Sequence, residues 1–121
     1  MKFIAIEDLI SRIENALIDI NIRCPDTVRN QIMDAFIQEK SEPARELLSE
    51  IMENYVISEE EKIPLCQDTG MVIAEVMWGI EVNITGGTFQ EALDEAIRRA
   101  YQKNYFRKSI LADPLIGGNT G

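Results

Sequence analysis

Apolar residues recur at spacings of three and four along most of this chain and change to continuous or alternating runs in one short region. Ile6, Leu9, Ile10, Ile13, Leu17 and Ile20 form the first series, with Glu7, Glu14 and Asp19 on other faces, which predicts an amphipathic helix. It should stop near Asn21 to Arg23, because Pro25 disfavours helical backbone in the residue before it. Pro25 and Asp26 suit the first turn of a second helix, whose buried stripe is Val28, Ile32, Ala35 and Phe36. Cys24 falls between the two and reads as a packed residue of the joint. Ser41 is placed to cap a third helix with Glu42 and Pro43 in its first turn. Ala44, Leu47, Leu48, Ile51, Met52 and Tyr55 supply its apolar face. Glu59, Glu60 and Glu61 then form a charge run that reads as a solvated linker.

The period changes after Gly70. Met71 to Trp78 is short, rich in strand-forming residues and bounded by turn signals, which predicts a strand. Gly79 breaks it, and Glu81-Val82-Asn83-Ile84-Thr85 alternates as a second, half-exposed strand would; a tight antiparallel pair is the simplest arrangement. Gly86-Gly87 ends this region. Thr88-Phe89-Gln90-Glu91 is a capping box, and Phe89, Ala92, Leu93, Ala96, Ile97, Ala100 and Tyr101 make the stripe of a long final helix. Asp94 to Arg98 and Glu95 to Arg99 are acid-before-base pairs four apart. The fold class expected is α+β: an N-terminal helical segment of three helices, a small β-sheet and a long capped C-terminal helix. Residues 1–121 read as a single domain, helical over 1–62, with motif, sheet and helix over 63–121.

Composition narrows the function classes. With 121 residues, 45% of them hydrophobic, the chain can bury a modest core. Its formal net charge of −9 argues against nucleic acid or an anionic membrane as partner, since either requires a basic face. No run of about eighteen apolar residues suggests a membrane span, and Glu7-Asp8 interrupts any signal-peptide pattern. Two cysteines far apart do not suggest a stapled secreted scaffold, so a reducing cytoplasm is the expected setting. Histidine is absent, which removes Ser-His and Cys-His nucleophilic schemes and His-based zinc sites from this chain. Against the acidic background, Arg98, Arg99, Lys103, Arg107 and Lys108 form a wholly basic run. Cations suit a helix C-terminus, but a guanidinium also holds a carboxylate through two parallel bonds. Arg107, just past the expected helix end, is the candidate for that second role.

Ile63-Pro64-Leu65-Cys66-Gln67-Asp68-Thr69-Gly70 concentrates the chemistry: a thiol, an amide, a carboxylate and a hydroxyl ahead of a glycine. On the residues alone, a buried cysteine followed by turn-forming Asp-Thr-Gly accounts for it. Yet Pro64 to Gly70 resembles the P-x-C-Q-D-T-G signature of the class I, iron–sulfur-dependent fumarases and the related tartrate dehydratases. In two-chain enzymes of that family the signature sits in the alpha subunit. The block from Ala92 to Tyr101, with Arg107-Lys108-Ser109 and Asp113-Pro114-Leu115, is similar to the same family in the same order.

The resemblance implies a hydro-lyase that adds water across the double bond of a C4 dicarboxylate, as in fumarate to malate. It implies a 4Fe-4S cluster held by three cysteines, of which Cys66 matches the first. It makes Gln67 and Asp68 substrate-facing, with Asp68 close to the proton-transfer step, and gives Arg107 a substrate carboxylate. Cys24 matches no ligand position. This chain would therefore supply one ligand of three, with a beta subunit contributing other acid–base groups to an oligomeric enzyme. Asn119-Thr120-Gly121, which suits a ligand loop or an ordinary turn, closes the chain where relatives continue. That end reads as an N-terminal fragment of an alpha subunit, inactive alone. Tartrate or methylfumarate (mesaconate) is an alternative substrate on the same scaffold, and a non-catalytic protein-interaction module is the rival from another class.

Overall fold

The structure is a computed structural model and describes residues 1–66 and 71–118. In chain order the elements are β1 (Lys2–Ala5), α1 (Ile6–Ile22), α2 (Asp26–Gln38), α3 (Glu42–Glu61), β2 (Val82–Thr85) and α4 (Phe89–Lys103). The α+β class with three helices, a small sheet and a capped final helix is as expected from the sequence. The chain divides into two compact units, Met1–Ile18 together with Asp68–Gly121, and Asp19–Gln67. Among the described residues no helix is long and apolar enough to cross a membrane.

In the first unit β1 and β2 pair in parallel, Lys2 opposite Val82 through Ala5 opposite Thr85. The antiparallel pair expected from Met71–Trp78 and Glu81–Thr85 is not formed. β2 takes the N-terminal strand as its neighbour, and 71–81 forms no strand. The run has strand-forming side chains, but a strand exists only where a second backbone answers its N–H and C=O groups. Trp78 does contribute: its indole Nε1 donates to the Val82 carbonyl at 3.0 Å, and its ring meets Phe89 edge-on at 6.1 Å.

Two apolar clusters hold this unit. Ile10 packs with Ala92 and Ala96, and Leu17 packs with Ala100, Tyr101 and Phe106. The three alanines have no solvent-accessible surface. Spaced four apart on α4, they form one stripe against which Ile10 and Leu17 of α1 pack. Tyr101 and Phe106 add an edge-to-face contact at 5.4 Å. The expected capping box is present: the Glu91 N–H donates to Thr88 Oγ1, and the Thr88 N–H donates to the Glu91 carboxylate at 2.7 Å. Gly86 precedes it at φ +91°, a backbone region that side-chain-bearing residues rarely adopt.

In the second unit α2 packs on α3. Pro25 is the N-cap of α2 rather than its first helical residue, and the helix begins at Asp26. Ser41 occupies the N-cap of α3 as expected, but its side chain makes no capping bond. The Glu39 carboxylate instead accepts from the N–H groups of Lys40 and Ser41, which lowers its pKa. Glu59, Glu60 and Glu61 are not a linker; they form the last turn of α3, which ends on Lys62 in the left-handed conformation. The Glu59 carboxylate bridges Arg29 at 3.0 Å and Arg23 at 3.1 Å, and those bonds hold its pKa down. A charge run read as solvated is thus part of the fold, because two guanidiniums, one from the α1–α2 joint and one from α2, converge on its first member.

Candidate functional site

The segment after α3 carries Cys66 and has no ladder of its own, so each of its buried backbone groups needs a partner from elsewhere. The Leu65 N–H donates to the Asn21 carbonyl at 2.8 Å. Ser58, on α3, has no exposed surface; its hydroxyl lies 2.6 Å from the Ile63 carbonyl and 2.8 Å from that of Ile22. The Cys66 N–H donates to Asn54 Oδ1 at 3.0 Å. Leu65 is buried and acts as the apolar plug between these bonds. The chain therefore reaches Cys66 pinned to the end of α1 and to one face of α3.

Beside it lies a cavity of about 780 Å³. Ile20, Val28, Leu47, Ile51 and Leu65 give it apolar walls, and Asn54, Tyr55, Cys24 and Cys66 add polar or soft atoms. The two cysteines differ sharply. Cys24 is 4% exposed, as the packed joint reading expected, and its thiol makes a long contact to the Pro25 carbonyl at 3.7 Å. The Tyr55 phenol has its pKa pushed up by burial first and then by a hydrogen bond with Cys24. Cys66 is a free, exposed thiol at the cavity. A metal or cluster ligand must reach its metal unencumbered, and of the two cysteines Cys66 meets that requirement.

Among the described residues no group of three or more His, Cys, Asp or Glu side chains could hold a metal ion. A cluster needing three thiolates is therefore not completed by the described part of this chain. Gln67 and Asp68, expected to face substrate, lie outside the described residues, as does Asn119-Thr120-Gly121.

The basic run resolves into separate roles. Arg98 and Arg99 both bind Glu95, each with a shortest contact of 2.6 Å, and this holds the Glu95 pKa down to about 2. Arg99 also reaches Glu7 at 3.3 Å, and Lys103 reaches Glu14 at 2.9 Å. These cations tie α4 to α1. The Glu95–Arg99 pair is as expected, whereas Asp94 accepts from Gln90 rather than pairing with Arg98. Arg107 is exposed and follows the buried anchor Phe106, beyond the end of α4.

Asn54 and Ser58 do not stand out in the sequence. Their signal is a polar pair four residues apart beside the apolar stripe of α3, which puts both on one face. Nothing local tells which distant backbone such a face will meet.

Comparison with known proteins shows the family. The sequence profile of the family described as fumarate hydratase (Fumerase) matches residues 10–121. A protein of Methanocaldococcus jannaschii named "Putative L(+)-tartrate dehydratase subunit alpha" is 32% identical over 99 residues, covering 81% of this chain and 34% of that relative. The chain thus spans about a third of the length of that relative. A profile match from residue 10 onward includes both the Cys66 segment and α4, and on that ground the chain belongs to the class I fumarate hydratase (Fumerase) family.

Proposed function

We propose that this chain is the N-terminal part of the alpha subunit of an iron–sulfur hydro-lyase that reversibly hydrates fumarate to malate in the cytoplasm, working with a beta subunit in an oligomer. The observation that carries the reading is Cys66: a free, exposed thiol inside the family signature, at the edge of a cavity, with its backbone held. In this proposal Cys66 is one of three thiolate ligands of a 4Fe-4S cluster. When bound, such a cluster supplies a Lewis-acidic iron that polarises a substrate hydroxyl and carboxylate.

The chain's own residues supply the rest of their share. Asp68 moves the proton on the carbon beside a substrate carboxylate, a weakly acidic position that calls for a placed base. Gln67 donates to substrate oxygen. Arg107 pairs with a carboxylate of the C4 diacid through its planar fork of donors. Because one chain provides one cluster ligand, the isolated chain is inactive.

A second substrate has a specific observation in its favour, since the relative that covers 81% of this chain is named for L(+)-tartrate. Tartrate and fumarate chemistry share the diacid and the carbon–oxygen bond that breaks, so the same residues serve both; mesaconate differs by a methyl group that only the pocket walls can read.

The test is reconstitution with iron and sulfide, without air, of this chain joined to the remaining alpha sequence and a beta subunit. Fumarate, tartrate and mesaconate are then compared by kcat/KM. Cys66→Ser should abolish turnover and remove the visible absorbance of the cluster. Turnover by the isolated chain, or an unchanged cluster spectrum in the Cys66→Ser enzyme, would refute the proposal.

A further inference from the structure

We infer that Asn54 is a positioning residue for Cys66, and this deepens the reading of Cys66 as a cluster ligand and rests on it. The segment from Ile63 to Cys66 is held by three side-chain or backbone partners, and they divide the work. Ser58 and the Asn21 carbonyl secure Ile63 and Leu65, ahead of the cysteine. At the cysteine itself, the backbone N–H donates to Asn54 Oδ1 at 3.0 Å. Asn54 sits one helical turn from the fully buried Ser58 on the same face of α3, so its acceptor is mounted on a rigid element. It also lines the cavity that Cys66 lines. An amide oxygen presented there fixes the Cys66 backbone, and so the direction from which its sulfur leaves the chain. Ligand residues are commonly aimed by such outer hydrogen bonds.

The role is local and can be separated from bulk stability, because Cys24 supplies a control inside the same unit. It lines the same cavity, but it is buried and its thiol is turned to the Pro25 carbonyl. In the 121-residue chain, Asn54→Ala should speed hydrogen exchange at the Cys66 amide about tenfold, while the amides of α3 keep their protection. Alkylation of Cys66 by iodoacetamide should rise about threefold, with Cys24 unchanged, as expected for loosening confined to one segment. Asn54→Asp keeps an acceptor oxygen and should restore the exchange rate at the Cys66 amide.

An unchanged Cys66 amide in Asn54→Ala overturns the inference. So does loosening shared by Cys24 and α3, or an Asn54→Asp chain that exchanges as fast as Asn54→Ala, since each describes a general structural role. These readouts need no iron, so they hold or fail separately from the cluster reading, which the Cys66→Ser spectrum decides.

Discussion

Ser58 has no solvent-accessible surface, and its hydroxyl stands between two carbonyls whose chains would otherwise leave each other, those of Ile22 and Ile63. One proton serves two acceptors, so alanine at this position removes the donor from both oxygens, of which the Ile22 carbonyl lies in a buried contact and the Ile63 carbonyl in a part-buried one. Losing a buried hydrogen bond in this manner costs about 1–3 kcal/mol. Ser58→Ala should lower the urea midpoint accordingly, and the loss should be accompanied by faster exchange at the Leu65 amide. A midpoint within error of the parent chain would mean that the two carbonyls find other donors. The family signature around Cys66 was legible at this scale, because it is carried by neighbours in sequence. Asn54 and Ser58 were not, because their partners are 12 and 36 residues away.

At the scale of the element, α4 is the part of the chain where local rules were sufficient. Its capping box, its apolar stripe and the Glu95–Arg99 pair all depend on residues three or four apart, and all three are present. Thr88→Ala removes the acceptor for the Glu91 N–H and should cost about 1 kcal/mol, read as a lower midpoint in chemical denaturation. The same helix predicts an acid response. Glu95 has its pKa lowered to about 2 by hydrogen bonds from Arg98 and then Arg99, and Glu91 is lowered by the Thr88 N–H and hydroxyl. A carboxylate whose folded pKa lies below its ordinary value of 4.5 stabilises the fold fully above that pH. The contribution is lost as pH falls from about 4.5 towards 2, because the unfolded chain takes up the proton first. Glu95→Gln should therefore flatten the decline in urea midpoint across that window. An unaltered acid limb would show that the carboxylate is not the group being titrated. The helices of the second unit gave partial agreement for a related reason. Breaks at Pro25 and Ser41 are local signals, whereas the pairing of Glu59 with Arg23 and Arg29 joins residues 36 and 30 apart.

For the whole molecule, what escaped the sequence was pairing between distant segments. β1 is four residues long and runs directly into α1, so no alternation marks it, and its parallel partner begins only at Val82. Once β2 has taken that neighbour, the strand-forming run ahead of it is left without a ladder. Met71, Ile73 and Met77 of that run, and Ile80 just after it, are each at least 70% exposed. Scattered exposed apolar side chains are ordinary, but several drawn from one short stretch favour association. The isolated chain should therefore bind an apolar dye such as ANS, and its sedimentation coefficient should rise with concentration. Met77→Lys with Ile80→Lys places two charges where neither side chain is packed, so folding should be preserved while both signals fall. Because this substitution leaves the Cys66 segment and its hydrogen bonds untouched, the Cys66 amide should exchange at the parent rate. Dye binding that survives both lysines would move the associating surface to Leu115 and Ile116, another strongly exposed apolar pair in the same unit.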